Sequence, residues 1–244
     1  MRTLLWEGCC NIRDLGGLPT EDGSETRFRA VVRADNVTQL SDQGWNALRD
    51  YGVRRIVDLR FDEELEAGRS HPDEIEVVHS PLAPEIAVFH EIDKLLAGIT
   101  EPVAWRRGNY LAVLERLGDN FAAAVSAVAR APEGTVLVHC AGGVDRTGLV
   151  VALLLRVAGV GVDTVAADYA ESEQSWAPFV AEWVDSAPDE DERSKRRLLA
   201  VMPAAAMRDV LVEIDRRHGS AEGYLREAGL DAEDLALARA RLRD

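Results

Sequence analysis

The sequence predicts an α/β fold: a mainly parallel central sheet flanked by helices, with a helical insertion and a helical C-terminal part. Three observations carry this. Short β-rich runs alternate with segments of helical period. The run Thr135 to Val138 is apolar throughout, as in a strand covered on both faces. The 244 residues, 47% of them hydrophobic, suffice for one sizeable core, so we expect one domain over 1–244.

The elements follow in order. Phe28 to Arg33 and Arg55 to Leu59 read as strands. Between them Ser41 is placed to cap a helix on which Trp45, Leu48 and Tyr51 recur at helical spacing before Gly52. Glu76 to His79 is a further strand, leading into Pro81 and Pro84. Residues 85–118 carry scattered Leu, Ile and Trp together with Tyr110 and read as a helical insertion or lid. Asn120 is expected to cap a helix bearing Phe121, Val125 and Val128, which Pro132 and Gly134 end. After the strand at Thr135 comes a loop, and Thr147 is the expected cap of a helix, apolar on nearly all sides, that reaches about Ala158. Asp163 is expected to cap the next helix, with Val165 and Tyr169 inward. Residues 185–197 read as a solvated charged loop or helix end. Pro203 begins a helix with Met207, Val210, Leu211 and Ile214 in register, ended by Gly219, and two shorter helical pieces break at Gly229 and restart at Asp231.

With 28 basic against 43 acidic residues, the formal charge of -15 opposes general binding to nucleic acid and stable association with an anionic membrane. The start, MRTLLWEGCC, lacks the apolar core and cleavage site of a signal peptide, and Leu149 to Leu155 is too short to span a bilayer. These features predict a cytoplasmic protein, with export by a route lacking a cleaved signal left open. Three cysteines, two of them adjacent at Cys9 and Cys10, make neither a disulfide framework nor a zinc spacing, so no metal or cofactor is expected.

The chemistry concentrates at HCAGGVDRTG, residues 139–148. Small residues between a strand end and a helix N-terminus can turn successive backbone N–H groups inward as an anion cradle, and Gly142 and Gly143 make that path sterically easy. Arg146 adds a planar fork suited to two phosphate oxygens; guanidinium and helix dipole together favour Cys140 as thiolate. A thiolate facing a bound phosphate is a nucleophile with its electrophile in place, and phosphoryl transfer would give a phosphocysteine that water hydrolyses. The phosphate ligands would come from Ala141, Gly142, Gly143, Val144, Asp145, Arg146 and Thr147.

The order and spacing His139-Cys140-x5-Arg146-Thr147-Gly148 resembles the signature of the cysteine-dependent protein tyrosine phosphatases. With Asn11-Ile12-Arg13-Asp14-Leu15-Gly16-Gly17 and Val57-Asp58-Leu59-Arg60, the chain looks like the bacterial family related to mycobacterial protein tyrosine phosphatase B. The resemblance covers most of the chain. It implies a phosphatase fold with a helical lid, no metal, and activity on phosphotyrosine that sometimes extends to phosphoserine, phosphothreonine or phosphoinositides. The expected partners are a phosphotyrosine protein or peptide and a phosphate or other oxyanion in the site.

The remaining roles follow from this resemblance and from reach. A leaving phenolate needs a proton, and the loop aspartate Asp145 is the expected general acid, because no Trp-Pro-Asp stretch is present; Asp58 and Asp62 stand behind it. The alternative for Asp145 is an ion pair bracing Arg146. His139 orients the loop or tunes the thiolate, or is a satisfied core histidine. Thr147 caps its helix and can also reach the sulfur. Arg13 and Asp14 are expected to support the site as an ion pair, and Arg60 to touch substrate or brace the loop. Tyr110 stacks near the substrate ring or belongs to the core. Cys9 and Cys10 are small apolar residues, with redox capture of Cys140 as the alternative. Val144 stands where relatives that accept phosphoinositides often carry lysine, so phosphotyrosine is the expected preference. Two other classes compete: a catalytically silent phosphate-binding module and a rhodanese-like sulfurtransferase.

Overall fold

Four parallel strands end in one row, and that row positions the cysteine loop. The computed structural model describes residues 2–65, 71–83 and 85–243. Pro84 lies outside them. The sheet runs in the order β1 (Arg13–Asp14), β2 (Val31–Ala34), β5 (Thr135–His139), β3 (Val53–Asp58), β4 (Glu76–His79). Only β1 is antiparallel to its neighbour. Ala34 pairs with His139, His139 with Asp58, and Asp58 with His79, so all four parallel strands finish level. Ligands bind at such a carboxyl edge.

The central strand β5 is buried along its whole length, and its alternation explains why. Val136 and Val138 enter a large core with the helices of one face, whereas Leu137 enters a smaller core with Trp6, Leu48 and Ile56 on the other. Helix α1 (Asp42–Tyr51) covers the smaller core; Ser41 Oγ accepts from Gly44 N at 3.2 Å, and Gly52 ends it at φ +93°. The larger core is covered by α4 (Gly118–Ala129), α5 (Asp145–Val157), α6 (Val162–Asp185), α8 (Ala204–His218), α9 (Ala221–Glu227) and α10 (Ala232–Leu242), with α2 (Ala87–Leu95) and α3 (Pro102–Arg116) occupying the insertion. Helix α7 (Glu190–Ala200) lies outside that core and buries no residue. Leu149 to Leu155 of α5 are all buried, each worth roughly 1.5–3 kcal/mol for its larger side chains. Among the described residues no helix is long and apolar enough to cross a membrane.

Several local expectations are corrected. Helix α4 starts at Gly118, so Asn120 is no cap; its Nδ2 donates to Pro81 O at 3.0 Å and ties the chain before the insertion to the helix after it. Helix α5 starts at Asp145, which places Thr147 inside the first turn. Asp163 likewise falls inside α6, where it pairs with Arg208. The strand expected from Phe28 begins only at Val31, because Arg29 sits at φ +60°. Residues 185–197 are largely helical: α6 continues through Pro178 to Asp185, and α7 begins behind Asp189, which accepts from Glu192 N at 2.8 Å. Pairs Arg193–Glu190 and Arg196–Glu192 at helical spacing support it, which a reading of charge alone takes for a loop.

Candidate active site

The loop after β5 is held by its carbonyls. Ala141 O accepts from Asn36 N at 3.0 Å. Gly142 O accepts from Asn11 Nδ2 at 3.2 Å and from Trp176 Nε1 at 2.9 Å. Gly143 O accepts from Asn11 Nδ2 at 3.2 Å and Arg33 Nη2 at 2.7 Å, and Val144 O from Gly148 N at 2.9 Å. A trans peptide directs the carbonyl of one residue and the N–H of the next in opposite senses, so anchoring these four oxygens turns the N–H groups of residues 142–145 the other way. Gly143 has φ +64°, and a Cβ there would sit 2.4 Å from Ala34 O; no other residue fits this path. Cys140, 2% exposed, lies at the base of the loop.

The anchoring residues converge on Asp168 of α6, which the sequence reading missed. Asp168 Oδ2 accepts from Arg33 Nη1 at 2.8 Å, Oδ1 from Arg13 Nε at 3.1 Å, and Arg2 also pairs with it. Burial works against its charge, yet Arg13, Arg33 and Arg2 hold its carboxyl far below the usual range. Arg13 Nη1 in turn donates to Asn11 Oδ1 at 2.8 Å, which orients the amide that grips the loop. The expected Arg13–Asp14 pair does not form: neighbours on β1 face opposite sides, and Asp14 instead accepts from Gly16 N at 2.6 Å, Arg29 N at 2.8 Å and the Tyr51 hydroxyl.

Arg146 is braced by Glu64, not by Asp145. Glu64 Oε1 accepts from Nη2 at 2.8 Å and Oε2 from Nη1, and the Phe61 ring lies 4.2 Å from the guanidinium carbon. Asp145 turns to the insertion: its Oδ1 accepts from Tyr110 OH at 2.6 Å and from Arg106 Nη1, leaving Oδ2 without a partner among the described residues. Arg106 is fully buried and also donates to the carbonyls of Leu199 and Val201; Tyr110 meets Tyr169 OH at 2.7 Å. Tyr110 is thus a core residue that also touches the loop aspartate.

The other candidates lie behind the loop. Asp58 takes Arg60 N and Nε, both at 3.0 Å on Oδ1, and Nη2 at 2.7 Å on Oδ2; burial opposes its charge, but Arg60 and nearby His139 hold it below the usual range. Arg60 is therefore spent on Asp58 and buried. His139 Nε2 lies 3.5 Å from Asp58 Oδ1, and burial lowers its basicity. Asp62 is mostly exposed, 3.6 Å from His79. Thr147 Oγ1 is buried with no partner among the described residues. Cys10 Sγ donates to Asp35 Oδ2 at 3.4 Å and Cys9 Sγ to Asn36 O at 3.3 Å; burial and Asp35 push both thiols up, that of Cys10 to about 12. Both are donors in place, a role the sequence reading did not foresee. Among the described residues no three His, Cys, Asp or Glu side chains cluster to hold a metal ion.

A mainly parallel sheet whose central strand runs into a glycine-rich cysteine loop and an arginine on the following helix defines a class, the cysteine-dependent phosphatases, which hydrolyse phosphoric monoesters. The chain belongs to the tyrosine phosphatase family, which it matches over residues 4–244. A protein of Cupriavidus necator whose name assigns it provisionally to the tyrosine-protein phosphatases is 28% identical over 245 residues, 92% of this chain and 83% of that one. A tyrosine-protein phosphatase of Nostoc commune is 25% identical over 228 residues (87% and 74%). The triple specificity protein phosphatase PtpB of Mycobacterium tuberculosis is 28% identical over 260 residues (91% and 92%). The chain is accordingly a protein tyrosine phosphatase with phosphorylated substrates, and the silent-module and sulfurtransferase readings fall away.

Proposed function

We propose that the protein hydrolyses phosphotyrosine through a phosphocysteine on Cys140. The Cys140 thiolate attacks phosphorus; the bond to the phenolic oxygen breaks, its electron pair staying on that oxygen. Asp145 supplies the proton, from Oδ2, since Oδ1 already accepts from Tyr110 and Arg106. Water then attacks phosphorus, the sulfur–phosphorus bond breaks, and Asp145 takes back a proton. Amides of the 141–146 loop and the guanidinium of Arg146 hold the equatorial oxygens, and Thr147 Oγ1 is available to donate to the sulfur.

The observation that carries this reading is the outward anchoring of the four loop carbonyls of residues 141–144, which leaves their amide partners free for an oxyanion. Asp58 is a poorer acid, being buried and bound three times by Arg60, and Asp62 is drawn toward His79. His139, Asp58, Arg60 and Arg13 support the loop, whereas Asp14 holds the turn at Gly16. Residues 1–244 act as one phosphatase domain in the cytoplasm, with the 85–118 insertion as lid or wall, since Arg106 and Tyr110 reach Asp145. Phosphotyrosine is preferred over phosphoinositide, because residues 141–144 carry no cation.

The experiment is rapid quench with a phosphorus-labelled aryl phosphate. Wild-type protein should yield a label that peptide mapping places on Cys140, and Cys140→Ser should show neither label nor turnover. Turnover by Cys140→Ser ends the proposal.

A further inference from the structure

Beside the cysteine loop lies an apolar groove of about 440 Å³ that the reaction as proposed does not use. It is lined by the loop at Gly142 and Val144, by the second half of α6 and by Met202. Trp176, Phe179, Val180 and Trp183 follow one another at positions i, i+3, i+4 and i+7, the spacing of a helix stripe meant to be covered. No element among the described residues covers it fully: Phe179 is 48% exposed and Trp183 39%. The walls are nonetheless fixed. Trp176 Nε1 bonds Gly142 O at 2.9 Å, the Trp176 and Phe179 rings meet edge-on at 6.0 Å, and Arg196 lies 5.4 Å over the Trp183 ring while donating to Trp183 O at 2.5 Å.

Resting on the phosphatase reading of the Cys140 loop, we propose that this groove is a substrate subsite that takes an apolar or aromatic side chain flanking the phosphotyrosine of a protein substrate. Its volume is that of a small-ligand pocket, and its aromatic edges suit a second ring. Continuity fixes the occupant, because Gly142 and Val144 belong at once to the groove and to the candidate phosphate cradle, so whatever is bound by its phosphate carries its neighbouring residues past α6. Charge decides against the other sources. Asp145 is the one ionisable side chain lining the groove among the described residues, which disfavours an acidic flanking residue. An anionic lipid headgroup would meet the same carboxylate, a rim cation, Arg196, already bound to Glu192, Trp183 O and Ser186 Oγ, and a chain of formal charge -15.

The test compares kcat/KM for phosphotyrosine peptides that differ at a single flanking position, scanned across both sides and filled with Trp, Leu, Gly or Glu. Wild-type protein should prefer the apolar peptides at one position by about tenfold or more over Glu, the discrimination one apolar side chain provides in such a pocket. The double variant Phe179→Ala/Trp183→Ala should bring that ratio close to one while turning over p-nitrophenyl phosphate, which has no flanking residue, as wild type does. Equal rates across the wild-type panel, a preference for Glu, or a ratio unchanged in the double variant each overturn the subsite. So does a double variant that loses only turnover of vesicle-bound phosphoinositide, or only self-association, while the peptide ratio stands. Absence of p-nitrophenyl phosphate turnover by wild type overturns the phosphatase reading and the subsite with it.

Discussion

Glu64 grips Arg146 end-on, Oε1 on Nη2 at 2.8 Å and Oε2 on Nη1, a hold that the neighbouring Asp145 does not share. The carboxylate therefore sets the rotation of the group proposed to bind phosphate.

Glu64→Ala frees the guanidinium to swing. Losing a charge-assisted bond of about 1.5–3 kcal/mol should lower kcat/KM on p-nitrophenyl phosphate by roughly tenfold or more. Were Glu64 instead a competitor of the substrate phosphate, the variant would bind orthovanadate more tightly and KM would drop.

Arg106 and Tyr110 hold Asp145 Oδ1 and so fix which way its carboxyl faces. If Asp145 is the acid, Arg106→Met, which frees that carboxyl to swing, should lower kcat by roughly tenfold or more on a substrate with a poor leaving group and much less on p-nitrophenyl phosphate, with Arg106→Lys in between. Asp145→Asn should abolish the basic limb of the pH–rate profile on a substrate with a poor leaving group; a wild-type limb in Asp145→Asn assigns the proton to another group. Because Leu199 O and Val201 O lose their donor, a lower Tm accompanies Arg106→Met.

Asp168→Asn leaves Arg2, Arg13 and Arg33 without their shared counter-charge and should cost about 3–5 kcal/mol in urea unfolding at neutral pH. The carboxyl titrates below its unfolded value of about 3.9, so its contribution is complete above that pH and is lost as pH falls through the acid range toward the folded value. Wild type should therefore weaken more than the variant below about pH 4; parallel pH–stability curves would contradict this.

Gly143→Ala places a Cβ 2.4 Å from Ala34 O at φ +64°. The loop must shift, and a displacement of even an ångström should cost about 100-fold in kcat. Circular dichroism should stay native, since the core of α5 does not involve this residue; wild-type turnover would show that the loop tolerates the side chain.

The parts of the site that follow one another along the chain were legible early. Thr135 to Val138 is an unbroken apolar run, Cys140 follows it, and Gly142, Gly143 and Arg146 stand at spacings a strand-loop-helix imposes. Helix limits were less legible at 118, 145, 162 and 190, where the actual starts depend on contacts such as Asn120 with Pro81 and Asp163 with Arg208. The α6 stripe was missed because α6 runs through Pro178 to Asp185, well beyond the Val165 and Tyr169 that mark the helix in the sequence.

What the sequence determined by itself is the order of elements, the family likeness and the loop that gathers cysteine, amides and arginine, since these depend on local period and on neighbours a few residues apart. Only the tertiary structure decided the partners: Glu64 for Arg146 across 82 positions, Arg106 for Asp145 across 39, and Asp168 for Arg33 across 135. A buried charge must find its counter-charge somewhere in the fold, but the neighbour it finds is set by which strand ends and helix faces meet, and Asp145, adjacent to Arg146 in the chain, lies one step around the helix and faces α3 instead.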